Sequence, residues 1–162
     1  MKRNLLTHLG DPKKGELAQA LLDTIARTEI PPSMAEYIFM GYCPGGRVEN
    51  ALDEMWIRDS YCDFTYVESQ AQVDKFFDIE PGDILILKKM LVDTQEMDIS
   101  AWGKVKSIHT SKQTGIPYLR VDWKPKEILR VPLMGCVATV NVRTLDKVEN
   151  AMPAEFWDWL KS

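Results

Sequence analysis

The stretch Phe76-Phe77-Asp78-Ile79-Glu80-Pro81-Gly82-Asp83-Ile84-Leu85-Ile86-Leu87-Lys88-Lys89 decides the fold class. Phe76, Phe77 and Ile79 read as apolar anchors. Glu80-Pro81-Gly82-Asp83 reads as a turn, because proline fixes φ and glycine tolerates a positive φ. Ile84 to Leu87 is a branched, apolar run that suits a buried strand. A turn of this kind feeds the chain tightly into the core of a small β structure.

Just upstream, Ser69-Gln70-Ala71-Gln72 has the spacing of a capping box, so a short helix is expected from there to Phe77. Further back, Tyr37 to Cys43 predicts a central strand. Tyr37, Phe39 and Gly41 fall on one face, and Ile38, Met40 and Tyr42 on the other. Pro44-Gly45-Gly46 ends it. Arg47 to Arg58 has room for a short helix, and Asp59 to Glu68 reads as irregular chain with exposed-looking aromatics at Tyr61, Phe64 and Tyr66. Lys14 to Ile30 predicts a helix, with Leu17, Leu21, Leu22 and Ile25 at helical spacing and Pro31-Pro32 as its stop.

Downstream, Val92 to Ser100 is polar and reads as a loop. Ala101 to His109 predicts a strand with Ala101, Gly103, Val105 and Ser107 on one face and Trp102, Lys104, Lys106 and Ile108 on the other. Tyr118 to Trp123 alternates cleanly, as an antiparallel strand with one buried face does. Pro125 to Pro132 reads as a less regular crossing and Cys136 to Val142 as another strand. Pro153 opens a short C-terminal helix that docks through Phe156, Trp157 and Leu160. The expectation is an α+β protein, a small and mostly antiparallel barrel of five or six strands with peripheral helices.

At 162 residues the chain suits a single domain, 36–162, with a helical extension over 1–35. No apolar run approaches the roughly 20 residues that span a bilayer. Met1-Lys2-Arg3-Asn4-Leu5-Leu6 makes a poor signal peptide. Cys43, Cys62 and Cys136 are odd in number and widely spaced, which argues against a disulfide framework and for free thiols in the cytoplasm. The net charge is −4, but it is unevenly spread. Residues 1–75 hold 8 basic and 12 acidic side chains, whereas Ile84 to Arg143 holds 10 basic and 5 acidic. An acidic total can therefore hide a basic face.

Familiar catalytic patterns are missing. Gly45-Gly46 lacks the lysine and hydroxyl of a phosphate-binding loop, and the dinucleotide fingerprint is absent. His8 and His109 are the only histidines, too few and too far apart for a zinc site. Asp53, Glu54, Asp59 and Asp63, and separately Asp93, Glu96 and Asp98, read most simply as solvated carboxylates. The expectation is a non-enzymatic chain without cofactor or metal, with an enzyme using Asp53, Asp59 or Asp63 a distant third. Aromatic residues are more telling. Trp56, Tyr61, Phe64, Tyr66 and Trp102 sit in loops or near strand starts, where rings either stack on a base or fill a small core.

The order of these pieces resembles the EVE-like domain of the PUA superfamily, as found at the N-terminus of some McrB-like restriction ATPases. Phe39-Met40-Gly41 matches its aromatic strand running into a glycine, and Trp56 its tryptophan segment. Ile79-Glu80-Pro81-Gly82-Asp83-Ile84-Leu85-Ile86-Leu87-Lys88 matches its turn and aliphatic strand. Trp102-Gly103-Lys104-Val105, Val121-Asp122-Trp123 and Arg130 follow in the family's order. The likeness covers roughly two-thirds of the chain, from Tyr37 to Arg143.

What the resemblance implies is a PUA/EVE-like pseudobarrel with a surface pocket that accepts a modified base. It further implies a defence-associated, DNA-binding module that works with a separate ATPase or nuclease. On this reading Tyr42, Trp56, Asp59, Ser60, Phe64, Lys88, Lys89, Trp102 and Arg130 form the nucleic-acid site, with Trp56 and Trp102 approaching one rim. The alternative is a non-catalytic protein-interaction or regulatory module on the same fold.

Overall fold

The 80–83 turn forms as its sequence requires. Gly82 sits at φ 94°, and Asp83 N–H closes the turn on Glu80 O at 3.1 Å. The Asp83 carboxylate accepts from Glu80 N–H at 2.9 Å and from Glu36 N–H at 3.2 Å, which ties the turn to the start of the first strand. A computed structural model shows this, and it describes residues 35–64, 69–91 and 93–162. The helix expected over Lys14–Ile30, with His8 and nearly all of the 1–35 extension, lies outside the described residues.

Six strands form one curled sheet: β1 (Tyr37–Gly41), β2 (Tyr61–Asp63), β3 (Ile84–Met90), β4 (Glu96–Thr110), β5 (Pro117–Pro132) and β6 (Val140–Arg143), in the order β2-β5-β4-β3-β1-β6. β1 and β3 run parallel; the other pairs are antiparallel. The described residues also form helices α1 (Asp53–Asp59), α2 (Gln70–Phe77), α3 (Leu145–Ala151) and α4 (Ala154–Lys161). The expectation of an α+β, mixed and mostly antiparallel barrel with peripheral helices is met in its coarse outline: the six strands curl into a half-barrel.

Strand alternation sorts the core into two clusters. Tyr37, Phe39, Ile84, Ile86, Met97 and Ile99 meet Val148, Phe156 and Leu160 on the side of α3 and α4. Ile38, Met40, Leu85, Leu87, Val121 and Leu119 meet Trp56 and Phe76 on the side of α1 and α2. The strands β1 and β3 are apolar on both faces because helices cover both.

Several expectations are corrected. Phe77 is 58% exposed, so Phe76 and Ile79 anchor the turn without it. The loop expected over Val92–Ser100 gives way at Glu96 to β4, because Met97 and Ile99 alternate into the core. Pro125 to Pro132 belongs to β5; Pro125 is exposed and lies at a bulge, where the ladder does not need its missing N–H. The strand expected over Cys136–Val142 shrinks to Val140–Arg143. The preceding turn takes positive φ at Met134 and Gly135, which no strand accommodates. Within the irregular stretch expected from Asp59, Tyr61–Asp63 pairs with β5 as a short edge strand.

Candidate functional site

β1 and β3 end side by side because they run parallel, and the chain leaves β1 through Tyr42 and Cys43 into two successive tight turns. Leu52 N–H returns to Tyr42 O at 2.8 Å, which brings the first residue of α1, Asp53, back toward Tyr42. The result is a cleft of about 310 Å³ lined by Tyr42, Cys43, Gly45, Lys89, Met90 and Val137, among others. A second cleft of about 390 Å³ shares Tyr42, Cys43 and Lys89 and adds Glu49, Asp53 and Glu54.

Strand register adds charge beside the clefts. Lys89 lies opposite Asp98, and Asp98 lies opposite Arg130. The Arg130 guanidinium bonds Asp98 at 3.0 Å. This is a plus–minus–plus row across three strands. Tyr42 sits half-buried next to it. Burial, and then Asp53, push its phenol up to about 12, with Asp98 adding to the rise and the Ser100 hydroxyl opposing it. The phenol is therefore a hydrogen-bond donor at neutral pH. Burial raises the Cys43 thiol more than Lys89 lowers it, so Cys43 is not an activated nucleophile.

Four of the nine expected site residues, Tyr42, Lys88, Lys89 and Arg130, thus share one neighbourhood. The others are placed differently. Trp56 and Trp102 are 0% and 2% exposed and belong to different core clusters, so the expected common rim does not form. Their separation follows from strand alternation: Trp102 faces the α4 side, and Trp56 reaches the opposite side from α1. Both indole N–H groups are buried without a partner of standard geometry. Trp56 nevertheless lies close enough to Asp63 to oppose the rise that burial gives its carboxyl. Phe64 is buried and stacked on Phe76 at 5.3 Å.

Lys88 lines the same cleft as Lys89, but from its buried wall. It is 5% exposed and donates to Cys136 O at 2.8 Å, which is a structural contact. Asp59 is exposed and held by Arg58 at 2.9 Å. Ser60 closes α1 in the left-handed region at φ 56°. Both lie at the far end of α1 from Tyr42.

Sequence reading missed Asp98 and Asp53 as neighbours of Tyr42. The alternation Glu96-Met97-Asp98-Ile99 is the signal that would have placed Asp98 on a strand. Among the described residues, no three His, Cys, Asp or Glu side chains gather as a metal would need, and no helix is long and apolar enough to cross a membrane. Comparison of the chain with known protein families, curated proteins and solved structures found no match.

Proposed function

We propose that this chain is a non-catalytic nucleic-acid-binding module, and that its finer role is to read a modified base in DNA. The reading is supported above all by the Lys89–Asp98–Arg130 row beside the protonated Tyr42 hydroxyl. A lysine that lines the cleft and an arginine on the strand beyond Asp98 suit phosphate contacts. A phenol donor and the Asp53 carboxylate offer polar partners to the edge of a base. Extruding a base costs a few kcal/mol, and one ring stack returns only about 1–3 kcal/mol. Tyr42 therefore needs those polar contacts as well. The basic excess between Ile84 and Arg143 and the EVE-like resemblance point the same way, with a separate ATPase or nuclease as partner.

Anisotropy titrations with plain, methylated and hydroxymethylated duplex DNA test this. Affinity is expected to fall steeply with salt, and Lys89→Ala and Arg130→Ala to weaken every duplex alike. Tyr42→Ala should erase the preference for modified over plain DNA. Failure to bind any DNA or RNA at low salt overturns the proposal. A protein-interaction module then becomes the better reading. It has its own support: Val48, Met90 and Val137 rim the same clefts at 59%, 42% and 66% exposure.

A further inference from the structure

We propose that a second surface, the exposed face of β4, β5 and β2, is a stacking platform for the unpaired bases of a single-stranded nucleic acid. It starts from a bulge. Val105 pairs with Val121, but Ser107 pairs with Arg120, so Lys106 is an extra residue and the faces of β4 exchange beyond it. Ser107 and His109 consequently leave the face of Val105 and join that of Arg120 and Tyr118. The ladder then sets His109, Tyr118 and Asp63 in one row and Ser107, Arg120 and Tyr61 in the next.

The side chains use this register. The His109 and Tyr118 rings stack at 5.2 Å with 22° between planes. The Arg120 guanidinium lies 5.5 Å from the centre of the Tyr118 ring and donates to Asp59 O at 3.3 Å. Ser107 Oγ meets His109 Nε2 at 2.7 Å and orients the imidazole. Three flat π groups thus form a braced row at the surface. Beside them Tyr61, Tyr118, Arg120, Asp63 and the turn residues Ser111 and Thr114 line a cleft of about 460 Å³. That is within the roughly 300–1,000 Å³ of small-ligand pockets.

The His109 and Tyr118 rings belong to neither core cluster, although Tyr61 packs partly against one. Leu119 and Val121, on the other face of β5, fill the core. Tyr61 and Tyr118 are only partly buried and His109 is exposed. Unpaired bases offer π faces that stack on aromatic rings and on arginine planes whatever their sequence, whereas the bases of a duplex are hidden from such a surface. The local charge permits a phosphate backbone, since Arg58 neutralises Asp59, and Arg120 and Lys112 remain against Asp63. This cleft shares no lining residue with those around Tyr42, so the platform does not rest on the reading of that site.

The test is an anisotropy titration of labelled single-stranded DNA and RNA, free of self-pairing, against wild type, Tyr118→Ala, Tyr118→Phe, Tyr61→Ala and Lys89→Ala. Wild type should bind, and Tyr118→Ala should lose about 5- to 150-fold in affinity, the range of one lost base stack. Tyr118→Phe should keep the affinity, because the ring and not the hydroxyl stacks. Melting curves show whether each variant is folded. Photo-crosslinking of wild type to the oligonucleotide should mark Tyr61, His109 or Tyr118, and it decides the question even if a variant unfolds. Loss of binding in Lys89→Ala but not in Tyr118→Ala overturns the platform while sparing the Tyr42 cleft. No single-strand binding by wild type, or crosslinks confined to other residues, overturns it too.

Discussion

The side-chain amide of Gln72 closes both backbone hydrogen bonds of Val140, 68 residues away in sequence: Val140 N–H donates to Gln72 Oε1 at 2.7 Å, and Gln72 Nε2 donates to Val140 O at 3.2 Å. Among the described residues β6 pairs only with β1, and Val140 would otherwise present an open edge there. The amide acts there as one residue of a missing strand. Its own helix is still capped on one side, since Gln72 N–H donates to Ser69 Oγ at 3.3 Å. The return arm of a capping box has been redirected to the sheet.

Gln72→Leu keeps the bulk and removes both bonds. Each buried backbone group left without a partner costs about 1–3 kcal/mol. A fall in the denaturation midpoint at unchanged slope is expected. Gln72→Glu keeps the acceptor for Val140 N–H but loses the donor, so it should also destabilise. Equal stability of Gln72→Leu and wild type would mean that β6 relaxes without the amide.

Two glycines should fail for different reasons. A Cβ on Gly82 meets nothing within 4 Å, so the cost of Gly82→Val is backbone strain at φ 94°. That cost is about 1–3 kcal/mol. A Cβ on Gly103 would lie 2.7 Å from Asp122 O and from Val121 Cγ1. Gly103→Ala therefore overpacks the β4–β5 pair, at about 1–3 kcal/mol. Gly82→Asn should be milder than Gly82→Val, because asparagine tolerates positive φ. Matched urea melts of the variants check both.

Trp56→Ala and Trp102→Ala should each lower stability by about 3–5 kcal/mol, as truncation of buried rings does. Binding by either variant should then follow its folded fraction. A variant that melts like wild type but has lost selectivity for a modified base would return these rings to a binding role.

Alkaline pH should expose Tyr42. Its phenol ionises near 10 in the unfolded chain and at about 12 in the folded one, chiefly through burial. The native state thus holds more protons between those values, and stability, fully present below about pH 10, is lost as pH rises toward 12. Tyr42→Phe should flatten that part of the profile. Tyr37 is raised further by burial and by Glu149, so its window also opens near pH 10 but reaches higher, and Tyr37→Phe should flatten the profile over that wider range. Tyrosinate absorbance followed alongside denaturant midpoints separates the two.

Local chemistry by itself determined the 80–83 turn, the Ser69 cap, the two faces of β1, the alternation of Tyr118–Trp123 and the C-terminal helix. In each the cause lies within a few residues: a ring that fixes φ, a missing Cβ, a hydroxyl near a free N–H, a period of two. Tertiary structure alone decided which side chains meet. Lys88 and Lys89 look alike in sequence and both line the cleft beside Tyr42, yet Lys88 is buried with its ammonium on Cys136 O while Lys89 is half-buried opposite Asp98, because adjacent strand residues face opposite ways. Trp56 and Trp102 were separable only once α1 had a side of the sheet. The extra residue at Lys106, which moves His109 onto the face of Tyr118, is invisible until β4 has β5 to be counted against. Register is a property of two strands, and no single stretch of chain contains it.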